Sequence, residues 1–412
     1  MRRLLSLLLL ASFSPLSPAV PPAPRHGEKL VVINDDGFSG FFEGRYRTAE
    51  DLRTHVLRFR DTPVAVLEWC IVQGSRTNFP SRAVELVGAG QSEFGRRGDQ
   101  LVTETFRRLA AEGTDTLEVV ARASHEAGLL CYASMRMNGD YSPTGSDPTL
   151  PRQFNGDFWH AHPEFRVRDA KGAPGTKLSY AFAEVRAHKL AHLREAALRD
   201  IDGLHLDFLR HPPFFGYDEP LVHAFREKHG LDPRTLPATD ARWIALRAEV
   251  MTGFVRDVRA LLDEAGAKKG RRLGLGARID HREYLSLGCD LEAWLREGLL
   301  DYVTLAQRTL GGYEFDLAPF VALARGSGCA VLFGEEAITT GHDLTAAEDK
   351  LVAAGKMAPP KRGQLTLDQY RARALRWFAA GADGLHLFNE NDPAVLRGLS
   401  PVTAKTSRPS LP

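Results

Sequence analysis

One stretch limits the fold of this chain more than any other: Ile201-Asp202-Gly203-Leu204-His205-Leu206-Asp207-Phe208-Leu209-Arg210-His211-Pro212. Leu204, Leu206 and Phe208 alternate with His205 and Asp207, the period of a short strand whose two faces differ. Arg210, His211 and a Pro-Pro pair then end it and open a loop. A carboxylate at the carboxyl end of a strand, followed at once by Arg and His, is where a (β/α)8 barrel keeps its chemistry. An Asp that merely caps the next turn would leave the crowding of His205, Asp207 and Arg210 unexplained.

The core of that stretch returns at 382–390. Both copies read Asp-Gly-Leu-His-Leu, and each follows an amphipathic helix, at 185–199 and 367–380. Two helix-then-strand units of one pattern point to a repeated αβ architecture with equivalent strand roles.

The remaining chain supplies the rest of the ring. Apolar, β-branched runs at 30–37, 64–72, 129–137, 272–280, 300–307 and 329–336 join the two copies to make eight strands. Helical periods at 48–60, 101–112, 117–127, 182–199, 220–228, 241–265, 291–297, 317–324 and 367–380 fall between them, with Thr48 as an N-cap. No hairpin signal interrupts the alternation. Parallel strands with crossover helices are the consistent solution, and eight units close a barrel. The expected fold is therefore an α/β (β/α)8 TIM barrel, with a long loop after its third strand and a helical insertion after its fourth. An open doubly wound sheet is disfavoured because no Gly-x-Gly-x-x-Gly follows the first strand; Gly274-Leu275-Gly276 lies inside one. The 139–180 segment lacks periodicity but carries Phe154, Phe158, Trp159 and Phe165, which suits a wall or lid over the barrel mouth.

Arg2-Arg3 precede an apolar run at 4–13 and a small-residue site near 17–19, so 1–19 reads as a signal peptide and 20–28 as a Pro-rich linker. The barrel takes 29–400, and 401–412 is expected to be a disordered tail. The protein is accordingly expected outside the cytoplasm, periplasmic or extracellular, with no integral membrane segment. The 412 residues are 43% hydrophobic with a formal net charge of +1, and no basic stripe stands out, so nucleic acid is not an expected partner. Cys70, Cys131, Cys289 and Cys329 are too few and scattered for a disulfide scaffold and read as buried thiols, although Cys70 and Cys131 could pair.

Polar residues gather at the expected carboxyl ends of strands: Asp35 and Asp36, Glu68, Arg136 and Asn138, Asp207 with Arg210 and His211, Arg278 and Asp280, Gln307, Glu335 and Glu336, Asn389 and Glu390. A closed barrel draws all of them to one mouth. Many carboxylates, amides and aromatics with no cofactor motif suit glycoside hydrolysis, which places two carboxyl groups about a scissile bond and rings against sugar faces. Asp207 is expected as nucleophile or base and Glu335 as general acid; alternation does not decide between Glu335 and Glu336, and Asp280 is the reserve partner. Asp36, Glu68, Arg136, Asn138, Trp159, His160, His205, Arg210, His211, Arg278, Gln307, Asn389 and Glu390 are expected to bind a carbohydrate substrate. No cofactor is expected. Two further classes stay open, a non-catalytic glycan-binding barrel and a metal-dependent hydrolase using His160 or His162. Neither His160-Ala161-His162 nor the His188/His192 pair sits in a recognised zinc motif. A calcium site on Asp35 and Asp36 also stays open.

The run 202–212 resembles the strand-four signature of bacterial glycosyl-hydrolase-like barrels commonly called family 10 glycosylhydrolase-like. Ser134-Met135-Arg136-Met137-Asn138, His162-Pro163-Glu164-Phe165 and the block 381–389 are similar to further segments of such proteins. The resemblance implies a TIM barrel, export, a carbohydrate substrate and a functional Asp207. The xylanase family that shares the number has an Asn-Glu pair on strand four. Leu206-Asp207 stands here instead, so xylanase activity is not implied.

Overall fold

The computed structural model describes residues 29–94, 96–140, 154–308, 314–342 and 344–403. The expected leader 1–19 and linker 20–28 lie outside the described residues, as do 404–412 of the tail and 141–153 of the long loop. Residues 401–403 are not the loose tail expected; they belong to a short helix, Ser400–Thr403, with Thr403 buried.

Eight strands form the ring: β1 (Leu30–Asp35), β2 (Val64–Cys70), β3 (Leu130–Arg136), β4 (Gly203–Asp207), β5 (Gly274–Asp280), β6 (Tyr302–Ala306), β7 (Ala330–Glu336) and β8 (Gly384–Phe388). They close in the order β1-β8-β7-β6-β5-β4-β3-β2, every pair parallel. The principal helices are α1 (Ala49–Leu57), α2 (Arg97–Ala111), α3 (Thr116–Glu126), α4 (Ala183–Ala197), α5 (Glu219–His229), α6 (Ala241–Lys269), α7 (Leu291–Arg296), α8 (Ala318–Ala324) and α9 (Leu367–Ala379). This is the (β/α)8 barrel, with α5 and α6 inserted after β4. Thr48 caps α1 in a reciprocal capping box with Asp51. No helix among the described residues is long and apolar enough to cross a membrane.

Alternate residues sort to two cores. Val31, Ile33, Leu67, Trp69, Leu204, Leu206, Val331, Phe333, Leu385 and Leu387 face out and pack with the helices. Leu30, Val32, Val66, Leu130, Tyr132, Tyr302, Ala330 and Leu332 fill the barrel's lower interior. The glycines of β4 and β5 are there for the tyrosines: a Cβ on Gly203 or Gly274 would collide with Tyr132, and one on Gly276 with Tyr302. The crowding expected at Gly274 and Gly276 thus comes from rings as well as from neighbouring strands.

The absence of hairpins was not met. Three antiparallel ribbons decorate the barrel: Val72–Gln73 with Arg76–Thr77, Arg166–Arg168 with Pro174–Leu178, and Ile338–Thr340 with Gly363–Gln364. The first turns through Gly74-Ser75, with Gly74 at φ 65, the left-handed backbone a two-residue loop needs. The second, with the short helix Asp157–Ala161, orders much of the segment that lacked periodicity. All four cysteines are buried and unpaired.

Candidate active site

Above the apolar layer, the barrel interior turns polar around Glu68, which is fully buried. Taking a carboxylate out of water costs several kcal/mol unless donors replace the solvent. Four side chains do so. Asn34 Nδ2 and the Tyr302 hydroxyl each donate at 2.6 Å, to Oε2 and Oε1 respectively. His386 Nε2 lies 2.9 Å and His205 Nδ1 3.1 Å from Oε2, and Ser134 Oγ is 2.9 Å from the same His205 nitrogen. Burial alone would raise the Glu68 pKa; the two imidazoles and the Tyr302 bond outweigh it and bring it down to about 2. His205, desolvated, drops to about 4 despite the Glu68 charge.

The repeated pentapeptide is now explained. Asp202 and Asp383 accept the Cys131 and Val331 amides at 2.8 and 2.9 Å, tying each strand's base to its neighbour. Gly203 and Gly384 allow close approach, since a Cβ on either would lie 2.5 Å from a carbonyl oxygen, of Gly274 or Leu30. The histidines meet at Glu68. The donor atoms of Glu68, His205 and His386 lie within 4.8 Å of one another. However, His205 Nε2 and His386 Nδ1 have no hydrogen-bond partner among the described residues. Metal-bound histidines are normally steered by such an outer bond, so the group fits a hydrogen-bonded core better than a metal centre.

One pleat higher, register places Arg136, Asp207 and Arg278 side by side on β3, β4 and β5. Arg278 Nε and Nη2 donate to the two Asp207 oxygens at 3.0 and 2.8 Å, and the Leu209 amide adds a third bond at 3.1 Å. Burial favours a protonated Asp207, but the Arg278 guanidinium overrides it and holds the carboxyl far below the usual carboxylate range. Arg278 and Arg210 both lie over the Phe388 ring, at 5.0 and 4.6 Å, and Arg210 Nη2 donates to Glu336 Oε1 at 2.9 Å. Beside Leu209, whose amide bonds Asp207, opens a cavity of about 300 Å³ lined also by Lys177, Arg210, His211, Arg308 and Glu336.

The expected acid residue is on the wrong side of the pleat. Leu332, Gly334 and Glu336 point inward, so Glu335 turns outward, buried against α9 with Arg373 Nη1 3.5 Å away. Burial lifts its pKa to about 7 against the pull of Arg373. Glu336 replaces it as the carboxylate presented to the cavity. Asp280, the reserve, caps the following turn through the Arg282 and Glu283 amides, with Oδ2 3.7 Å from Arg308 Nε.

Several expected substrate contacts are pins of the fold. Asn138 Nδ2 donates to the Leu178 and Pro213 carbonyls at 2.9 and 2.8 Å. Trp159 is buried under Arg166, its Nε1 donating to the Thr176 carbonyl, and His160 stands edge-on to its ring. His162 pairs locally with Glu164 at 2.8 Å. Glu390 turns out to the Tyr370 hydroxyl at 2.9 Å. Asp35 and Asp36 diverge, which undoes the calcium pairing: Asp35 goes to His55 at 2.8 Å, Asp36 to the Phe38 and Ser39 amides and Asn389. Gln307 stays half-buried just beyond β6. Lys177, Arg308 and Phe388 were missed. The first two lie outside the eight barrel strands and carry no local signal; Phe388 follows His386 at the inward spacing and could have been found.

No protein-family model matches the chain, and no curated protein matches it in sequence. Solved structures do match in fold. The PgaB (BpsB) glycoside hydrolase domain from Bordetella bronchiseptica is 13% identical, covering 93% of this chain and 100% of that one, with a TM-score of 0.55. The catalytic domain of β-amylase from Paenibacillus polymyxa is 11% identical over 93% and 100%, also at 0.55. At these identities the likeness is one of barrel architecture.

Proposed function

We propose that the protein is an exported glycoside hydrolase acting on an oligo- or polysaccharide at the mouth of the barrel. The observation that carries this is a buried carboxylate, Asp207, and a cavity-facing carboxylate, Glu336, whose arginine partners, Arg278 and Arg210, lie over the same Phe388 ring. Asp207 supplies fixed negative charge where a glycosidic carbon becomes oxocarbenium-like, and Glu336 transfers the proton. The resemblance of 202–212 to glycosyl-hydrolase-like barrels and the barrel shared with two glycoside-cleaving domains support the reading. The test is a panel of defined glycans incubated with the full chain and with Asp207→Asn. Hydrolysis of a panel member by the native protein alone is expected, and equal turnover by the variant rejects the assignment. Export is tested by fractionating cells and sequencing the mature N-terminus, expected near residue 20.

The engagement of both carboxylates by arginines, Arg278 and Arg210, favours a second reading: a barrel that binds glycans without cleaving them. Saturable binding of a glycan that stays intact through prolonged incubation selects it.

A further inference from the structure

Among the described residues, the wall of the 300 Å³ cavity sets three cationic side chains, Lys177, Arg210 and Arg308, against one carboxylate, Glu336. The acids nearest it already have partners. Asp207 is held at both oxygens by Arg278, Glu336 accepts from Arg210, and Asp36 accepts two amides and the Ser39 hydroxyl. Arg308 is steadied from its outer side by Glu283 and Asp280. Lys177 Nζ donates to the Asp140 carbonyl oxygen at 2.5 Å.

The cavity is also built to keep those cations in place. Arg210 lies over Phe388, 4.6 Å from the ring centre, and donates Nη2 to Glu336. A guanidinium has five N–H donors, so this leaves a planar edge able to take an oxyanion in two parallel bonds. His211 follows with φ 81, a left-handed backbone that a non-glycine residue rarely adopts. Such strain collects at ligand clamps. Burial first, and then the nearby Arg136, Lys177 and Arg210 charges, push the His211 imidazole down to about 3 against the pull of Asp207.

We propose that this cavity receives the anionic substituent of an acidic sugar, so that the glycan recognised carries carboxylate or sulfate groups. The proposal rests on the saccharide reading above and narrows it. Arg210 and Lys177 bind the oxyanion, and Arg308 closes the outer side.

The test is equilibrium binding of the full chain to three probes: a glucuronate-containing oligosaccharide, the same oligosaccharide with its carboxyl groups reduced to alcohols, and a sulfated neutral oligosaccharide. A charged probe is expected to bind at least about tenfold more tightly than the reduced one, and to weaken as salt is raised. The glucuronate and sulfate arms then tell which oxyanion is preferred. Arg308→Gln and Lys177→Gln should each cost about tenfold for the charged probe while leaving the reduced probe unchanged. Should Lys177→Gln fail to fold, Arg308→Gln, on a rim side chain that is 37% exposed, decides alone. Equal or tighter binding of the reduced probe overturns the inference and leaves the glycan reading intact. Failure of all three probes to bind overturns both. Tight binding of a charged probe that is never cleaved sustains the inference and counts against hydrolysis.

Discussion

Asp207 and Arg278 face each other across the β4–β5 ladder, and the guanidinium takes both carboxylate oxygens, at 3.0 and 2.8 Å, with neither side chain open to water. A pair so enclosed is weak as a net source of stability but severe to break, since the survivor is left as a bare buried charge. Asp207→Asn should therefore lower stability by roughly 3–5 kcal/mol in a denaturant titration. It should also reduce turnover of a cleavable glycan by at least about a hundredfold. A variant as stable and active as the parent would show that the pair does neither job.

Glu336→Gln and Glu335→Gln separate two adjacent carboxylates by the face each occupies. The first should cost at least about a hundredfold in kcat/KM. The second, behind the strand, should change kcat/KM by less than about threefold, the scatter ordinary for a residue outside the site. The reverse order of effects would contradict the inward position of Glu336.

Glu335 also gives a pH signature. Its folded pKa, near 7, lies above the ordinary carboxyl value, so ionisation is disfavoured in the native state. Stability linked to the protonated form is full below about pH 4.5 and is lost as the pH climbs through about 7. Glu335→Gln cannot ionise, so its melting temperature relative to the parent should rise steadily across that interval. A difference independent of pH would show that Glu335 ionises as freely folded as unfolded.

Glu68 holds the interior together. Glu68→Ala strips one acceptor from Asn34, Tyr302, His205 and His386 together, and should cost about 3–5 kcal/mol in denaturant unfolding. A loss below about 1 kcal/mol would mean that those donors find other acceptors.

Gly384→Ala tests the repeated motif. The new methyl would sit 2.5 Å from the Leu30 carbonyl oxygen and 2.7 Å from Leu332 Cδ2, both parts of the packed ring. Overpacking there should destabilise by about 1–3 kcal/mol. An unchanged melting temperature would show that β1 can draw back.

The ring was legible because parallel αβ units leave repeated, long-range signatures: an apolar run, a helix of matching period, and a polar residue at the strand's end. That signal singled out Glu68, Asp207, Arg210, His211 and Arg278, and the resemblance of 202–212 added weight to Asp207. Which of Glu335 and Glu336 faces in was not, because Ala330-Val331-Leu332-Phe333 is apolar on both faces, as barrel strands buried between core and helices are. Only the pairing with β8, Gly334 beside His386, sets the pleat. Asn138, Trp159 and Glu390 look the same in sequence whether they hold a ligand or a loop; their partners, Pro213, Thr176 and Tyr370, lie 75, 17 and 20 residues away. The Gly74-Ser75 hairpin was readable and was passed over.

The two pentapeptide strands stand four places apart in either direction around the ring, on opposite walls, and send matching imidazoles toward the axis. One carboxylate answers both, from β2; the opposite wall, β6, contributes only a phenol. Copying either half of the chain onto the other would therefore leave the paired rings facing two acids or none. Whatever its origin, this protein can no longer be assembled from two identical halves.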